Sequence, residues 1–236
     1  MNKKDKGERI MKLCIDDANV DAIRRICEYY PIDGVSTNPS ILAKSGRKPF
    51  EVLREIRGII GEGGELFVQA VARDAEGMVR DAGRIVDELG KTTIVKIPCN
   101  PEGFKAMKQL HAGGIRLLGT AVYTPMQGFL AAKCGCEYVA PYVNRIDNMG
   151  FDGVQVAKDI HDAIAGSGYD YCGLLAASFK NSMQVLELTK YGVKAVTVAP
   201  DIIDGLVKNA AIDAAITQFT KDFEGLAGAG KTMENC

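Results

Sequence analysis

The chain has 236 residues, with 29 Lys+Arg against 30 Asp+Glu, a net charge of −1, 47% apolar residues and 25% charged residues. That size and composition suit one globular domain with a real core, and the balanced charge argues against a nucleic-acid or anionic-membrane binder working through bulk charge. No apolar run approaches the ~18 residues of a membrane span, the charged start MNKKDKGERI lacks the apolar stretch of a secretory signal, and two histidines with seven scattered cysteines leave no zinc or CxxC spacing.

The first ten residues are polar and read as an extension ahead of the fold. Strand candidates then follow at 11–16, 34–37, 66–71, 93–97, 115–119, 138–142, 171–177 and 195–199. Each is short and apolar, and each precedes a segment with 3.6-residue periodicity. Ile23, Ile26, Cys27 and Tyr30 make the first helical face. Leu53, Ile56 and Ile60 make the next, then Val79, Ala82, Val86 and Leu89, and later Val154, Ala157, Ile160 and Ile164. Near-continuous apolar strands are buried on both faces, as in parallel sheets. Eight strand–helix units in this length predict an α/β fold, a closed (β/α)8 barrel of the TIM type. A doubly wound open sheet is the alternative, but neither GxGxxG nor GxxxxGK[ST] occurs. After the eighth strand the pattern continues through 202–207 and 210–223, where Ile212, Ala215, Ile216 and Phe219 form an apolar stripe. The predicted organisation is an extension at 1–10, a barrel with its C-terminal helix at 11–223 and a loose Gly-rich tail at 224–236.

Barrel enzymes place their chemistry at the C-terminal ends of the strands. The polar residues that fall there are few. Asp16 ends the first strand, and Thr37 and Asn38 end the second. Gln69 lies late in the third, Lys96 late in the fourth, and Thr120 follows the fifth. Tyr142 and Arg145 follow the sixth, and Ser178 and Lys180 the seventh.

Lys96 stands inside the apolar run Thr-Ile-Val-Lys-Ile-Pro. Burying an ammonium is costly and lowers its pKa, and a neutral amine is a nucleophile for carbonyls. The plainer reading is an edge-strand lysine whose head reaches water. Pro39 forces Asn38 out of helical geometry, and Asn38 or Ser40 could simply start a helix. Asp17 is placed to cap the first helix, which would leave Asp16 to face inward as a proton shuttle beside Lys96. Arg145, Ser178 and Lys180 combine two cations and a hydroxyl where barrels commonly hold a phosphate; ion pairs to Asp147 or Asp170 are the alternative. His111 and His161 read as helix-surface residues.

Five stretches carry a resemblance. They are GVSTNPS from Gly34, VKIP from Val95, LGTAVY from Leu118, YVAPYVNRID from Tyr138 and LAASFK from Leu175. With these the chain resembles the small transaldolases, and among them the fructose-6-phosphate aldolase type, from residue 11 to about 223. The resemblance implies a class I mechanism in which Lys96 forms an imine with a ketose. It implies Asp16 as acid/base, Asn38 on substrate hydroxyls, and Gln69, Thr120 and Tyr142 around a catalytic water. It also implies Arg145, Ser178 and Lys180 at the phosphate, with Thr37 beside the substrate. Gln69 and Tyr142 match the aldolase type, where transaldolases of this group have Glu and Phe. Asp17 and Ser36 depart from the family pattern, which has Thr at both.

The function expected is cleavage of fructose 6-phosphate to dihydroxyacetone and glyceraldehyde 3-phosphate, and the reverse addition. No cofactor and no metal are expected, and no nucleic-acid or membrane partner. Transfer of the dihydroxyacetone unit to an acceptor sugar phosphate is the first alternative, with a sulfonated ketose as a variant donor. A non-enzymatic sugar-phosphate-binding barrel is the second. The resemblance further implies a homo-oligomer, pentamer or decamer, and the scattered thiols suggest a cytoplasmic chain.

Overall fold

Capping residues explain how six of the eight strands hand over to a helix, and how the helix Gly153–Gly166 begins. Asn19, Asn38, Asp74, Asn100, Thr124, Asp152 and Asn181 each accept a hydrogen bond from a backbone N–H of the following helix. These short polar side chains satisfy donors that a helix start leaves open. The computed structural model describes residues 10–236, so all of the 1–10 extension but Ile10 lies outside the described residues. Its strands are β1 (Lys12–Asp16), β2 (Gly34–Ser36), β3 (Glu65–Gln69), β4 (Ile94–Pro98), β5 (Leu117–Val122), β6 (Tyr138–Pro141), β7 (Gly173–Ala176) and β8 (Ala195–Val198). The helices are α1 (Val20–Tyr29), α2 (Pro39–Lys44), α3 (Pro49–Ile60), α4 (Ala75–Leu89), α5 (Pro101–Ala112), α6 (Pro125–Lys133), α7 (Val143–Asp147), α8 (Gly153–Gly166), α9 (Ser182–Tyr191), α10 (Pro200–Val207) and α11 (Ala210–Ala227).

All pairings are parallel, consecutive strands are neighbours, and β8 closes on β1. The predicted (β/α)8 barrel is therefore the fold. Outward residues such as Val35, Val95, Val139 and Val196 pack under the helices in one continuous core. A smaller inner core of Cys14, Phe67, Ile94, Leu118, Tyr138, Ala140, Leu175 and Ala195 fills the barrel.

Two elements were not legible as separate helices, because five or six residues show no period. They are α2 and α7, and both sit at the catalytic ends of strands. Strand β5 also runs further than its apolar pattern suggested. Its register against β6 slips between Gly119 and Val122, and Ala121 has φ 56°. This is a β-bulge, with one residue more in β5 than in its partner. The bulge turns Val122 into the outer core while Thr120 stays inside.

The registers stack the interior in layers of four side chains from alternate strands. Because the strands tilt, the residue level with a given one lies two strands on and two residues further up. From Ser36 the pairing leads through Phe67 to Ile94, and two residues on stands Lys96. The same steps give Ala140 and Thr197, which completes the layer. Above it lie Asp16, Gln69, Thr120 and Ala177. Below it lie Cys14, Phe67, Leu118 and Leu175, then Gly34, Ile94, Tyr138 and Ala195. Lys12, Glu65, Arg116 and Gly173 form the floor. Glu65 there accepts from the Tyr138 hydroxyl at 2.8 Å and pairs with Lys12 at 3.0 Å and Arg116 at 3.1 Å.

The chain divides into two compact units, one to Ile203 and one from Asp204 to Cys236. The first holds the barrel. The second contains α11, which continues past Phe223 to Ala227 and has no buried residue; Ile212, Ile216 and Phe219 are exposed. Among the described residues no helix is long and apolar enough to cross a membrane.

Candidate active site

Lys96 comes from the middle of a buried strand, and its side chain is only 4% exposed. Its Nζ donates to Ser36 Oγ at 2.9 Å and to the Thr37 carbonyl at 2.8 Å. These bonds hold the amine in place at the base of the polar end. Burial lowers its pKa to about 8, against an opposing pull from the Asp16 carboxylate. A useful fraction is thus neutral near neutral pH, which an ordinary lysine is not. Lys12 offers a contrast. It lies in the floor layer, its side chain is 35% exposed, and it is committed to Glu65.

Asp16 sits one layer above Lys96. Burial is the largest influence on its carboxyl and raises the pKa to about 6. Lys96 and Arg145 oppose that rise, and Asp17 adds to it. A carboxyl balanced at that value can both take and give a proton. The expectation that Asp17 caps α1 does not hold. Asn19 is the cap, and Asp17 Oδ1 instead accepts from the N–H groups of Ala18 and Asn19, tightening the turn.

Thr120 and Tyr142 meet directly, with their hydroxyl oxygens 2.8 Å apart. The alternation along β5 from inward Leu118 places Thr120 inside to make this contact. Tyr123 packs edge-on against the Tyr142 ring at 5.7 Å, and the Arg145 guanidinium lies over that ring at 4.5 Å. Burial raises the Tyr142 pKa, so the phenol stays protonated and can donate. Gln69 pairs in register with Lys96 and stands in the layer of Asp16 and Thr120.

Asn38 is the N-cap of α2: its Oδ1 accepts from Ile41 N at 3.0 Å. The carbonyl is therefore occupied, and the side-chain NH2 is what remains to donate. Thr37 is fully buried; its hydroxyl donates to Phe67 O at 3.1 Å, and its carbonyl accepts from Lys96.

The cationic group is built from two short elements. Arg145 rides on α7, and the backbone of Asn144 donates to Ser178 O at 2.8 Å, tying α7 to the end of β7. Ser178 holds φ 62°, a left-handed conformation that costs a non-glycine residue energy and is typical of functional sites. Lys180 is exposed just ahead of the Asn181 cap, with its backbone N–H on Gln184. The alternative pairing of Arg145 with Asp147 does not form, since Asp147 accepts from Gly153 N and Gln184 Nε2. Clefts of about 860 Å³ and 420 Å³ open at this end, one reaching Asp16 and the other Gln69 and Pro98. Ser36 was not picked out as a site residue from the sequence. Its signal is the alternation along β2, which turns Ser36 inward two residues before Asn38.

A buried lysine beside a buried carboxyl at the C-terminal mouth of a (β/α)8 barrel is the arrangement that an imine-forming enzyme of the class I aldolase kind needs. The chain belongs to the transaldolase/fructose-6-phosphate aldolase family, whose model matches residues 13–235. Two solved structures share the fold. One is a dihydrodipicolinate synthase from Rhodopseudomonas palustris, at 12% identity and a TM-score of 0.58 over 92% of this chain and 80% of that one. The other is a mandelate oxidase variant with an FMN adduct, at 15% identity and a TM-score of 0.56 over 93% and 75%. At such identities these two speak for the fold alone.

Proposed function

We propose that the protein cleaves fructose 6-phosphate to dihydroxyacetone and glyceraldehyde 3-phosphate, and catalyses the reverse addition, through an imine on Lys96. The observation that carries this reading is the buried Lys96 amine held by Ser36 and Thr37 within reach of Asp16's field. The neutral amine adds to the C2 carbonyl, and Asp16 supplies the proton with which the carbinolamine hydroxyl leaves as water. A base then takes the C4 hydroxyl proton, the C3–C4 bond breaks, and its electron pair flows into the iminium to give an enamine. Glyceraldehyde 3-phosphate departs. The enamine is protonated at C3, and water hydrolyses the imine to release dihydroxyacetone and free Lys96.

Arg145, Ser178 and Lys180 bind the phosphate in this scheme, and the Asn38 amide donates to a sugar hydroxyl. The Thr120–Tyr142 pair, with Gln69 in the adjoining strand, holds the water that protonates the enamine. A phenol at position 142 favours release over transfer, because it supplies a donor to that water. Transfer to an acceptor sugar phosphate is the second reading, since the same enamine can add to an aldehyde. The family resemblance and the exposed stripe of α11 also support a homo-oligomer, a pentamer or decamer, in which α11 lies against a neighbouring copy.

Borohydride added with fructose 6-phosphate should label the parent irreversibly and leave Lys96→Ala unlabelled. Free dihydroxyacetone should form without any added aldehyde. Labelling that survives in Lys96→Ala removes the mechanism, and release that requires an acceptor favours transfer.

A further inference from the structure

One polar group at the heart of the barrel takes no part in the scheme above. Thr197 is 1% exposed, and its Oγ1 has no hydrogen-bond partner among the described residues. Leaving a buried hydroxyl unbonded costs about 1–3 kcal/mol, so such a group calls for an explanation. Its place in the fold supplies one. Thr197 lies between Val196 and Val198, which both pack outward, so its own side chain points into the barrel. Layer counting sets it level with Ser36 and Lys96.

The neighbours of Thr197 divide sharply. Beneath it are Cys14, which pairs with it in register, and Leu175. Beside it on one hand is Ala140, and above it is Ala177; both are small, buried and without a side-chain donor or acceptor. Beside it on the other hand is Ser36, and two residues up the adjacent strand stands Asp16. By register the polar groups nearest that corner are thus Ser36 Oγ, which also accepts from Lys96, the Asp16 carboxyl and Thr197 Oγ1. Two to four polar partners around a small space make a stable site for a buried water.

We infer that Thr197 is a positioning residue for the proton shuttle: its hydroxyl is joined to the Asp16 carboxyl through one buried water that Ser36 also contacts. This deepens the proposed function and rests on Asp16 acting as its shuttle. The water gives the carboxylate a fixed donor from below, so that its free oxygen faces the reacting carbon above. It also links Asp16 to the Ser36 hydroxyl that holds Lys96. The other groups acting on Asp16 are Lys96, Asp17, Arg145 and Tyr142. Asp21, Arg24, Lys44 and Asp201 line the cleft it opens on, and Cys14 lies below. None of these changes when Thr197 is replaced.

Thr197→Val keeps the shape and removes the hydroxyl. A donor lost from an ionised carboxylate raises its pKa, so the acid limb of the kcat/KM profile should move up, on the order of 0.5–1 pH unit. Thr197→Ser should restore the parental limb. Borohydride trapping on Lys96 should persist in both variants. A Thr197→Val profile that overlays the parent's, with trapping intact, overturns the inference and leaves the aldolase reading standing. Failure of trapping in the parent overturns both. A high-resolution crystal structure of the unaltered protein gives a check that no variant's folding can spoil. It should show an ordered water bonded to both Thr197 Oγ1 and Asp16, and a dry corner there overturns the inference.

Discussion

Burial brings the Lys96 pKa down to about 8 and the Asp16 pKa up to about 6, and the lysine's shift has a stability consequence. A lysine whose folded pKa is about 8, against 10.5 ordinarily, contributes stability that is present above 10.5 and lost as pH falls through 8. At pH 7 that contribution is gone, at a cost of ~3 kcal/mol by linkage. Lys96→Met should therefore abolish imine trapping and raise Tm at pH 7 by about 2–8 °C. The gain should shrink above pH 8. Thermal melts across that range check it, and a Tm at pH 7 below the parent's contradicts it. At this scale the sequence showed much of the site, because a lysine inside an apolar strand violates the pattern around it. It did not show that Ser36 and the Thr37 carbonyl hold Lys96. Their contacts to Lys96 depend on register between strands, and a single strand's pattern carries no register. Asn38 was legible in both its guises, and the structure supports the cap on its carbonyl side.

Elements matter here through where they end. Helix α5 starts one turn after Lys96, and its Gly103 packs against the end of β4. A Cβ at Gly103 would lie 1.8 Å from the Pro98 carbonyl oxygen, a clash that backbone alone can relieve. Gly103→Ala should therefore push α5 off β4, destabilise the protein by about 1–3 kcal/mol and lower kcat by disturbing Lys96. Gly58→Ala, where an added Cβ meets nothing within 4 Å, is the control and should not lower stability. Equal urea midpoints for the two variants would refute the argument. The eight strands and the main helices were readable from periodicity. The faces were right to within a rotation: α4 buries Met78, Ala82, Ile85 and Leu89, one residue round from the stripe read through Val79 and Val86. The β5 bulge and the short helices α2 and α7 were not readable, since each is shorter than the period that would reveal it.

At the scale of the molecule, α11 presents Ile212, Ile216 and Phe219 at i, i+4 and i+7, exposed at 49%, 56% and 69%. An 18-residue helix with an apolar stripe and no buried residue is an unfinished surface. Phe219→Asp should lower the mass in solution from an oligomer toward a monomer, measured by light scattering, while the barrel's melting is little changed. A parent that is itself monomeric removes the assembly. The layered interior has another consequence. Between the ammonium of Lys96 and the carboxylate of Glu65 lie two storeys of uncharged side chains, from Cys14, Phe67, Leu118 and Leu175 down to Ile94 and Tyr138. That slab acts as an insulator. The floor's ion cluster, whose Lys12, Tyr138 and Arg116 contacts outweigh burial and hold Glu65 below its usual pKa, adds stability that is lost as pH falls through that lowered value. The mouth governs how the chemistry meets pH. The two can drift independently, so a descendant could adapt to a harsher medium by rewiring its basement while the tuning of its nucleophile stays intact.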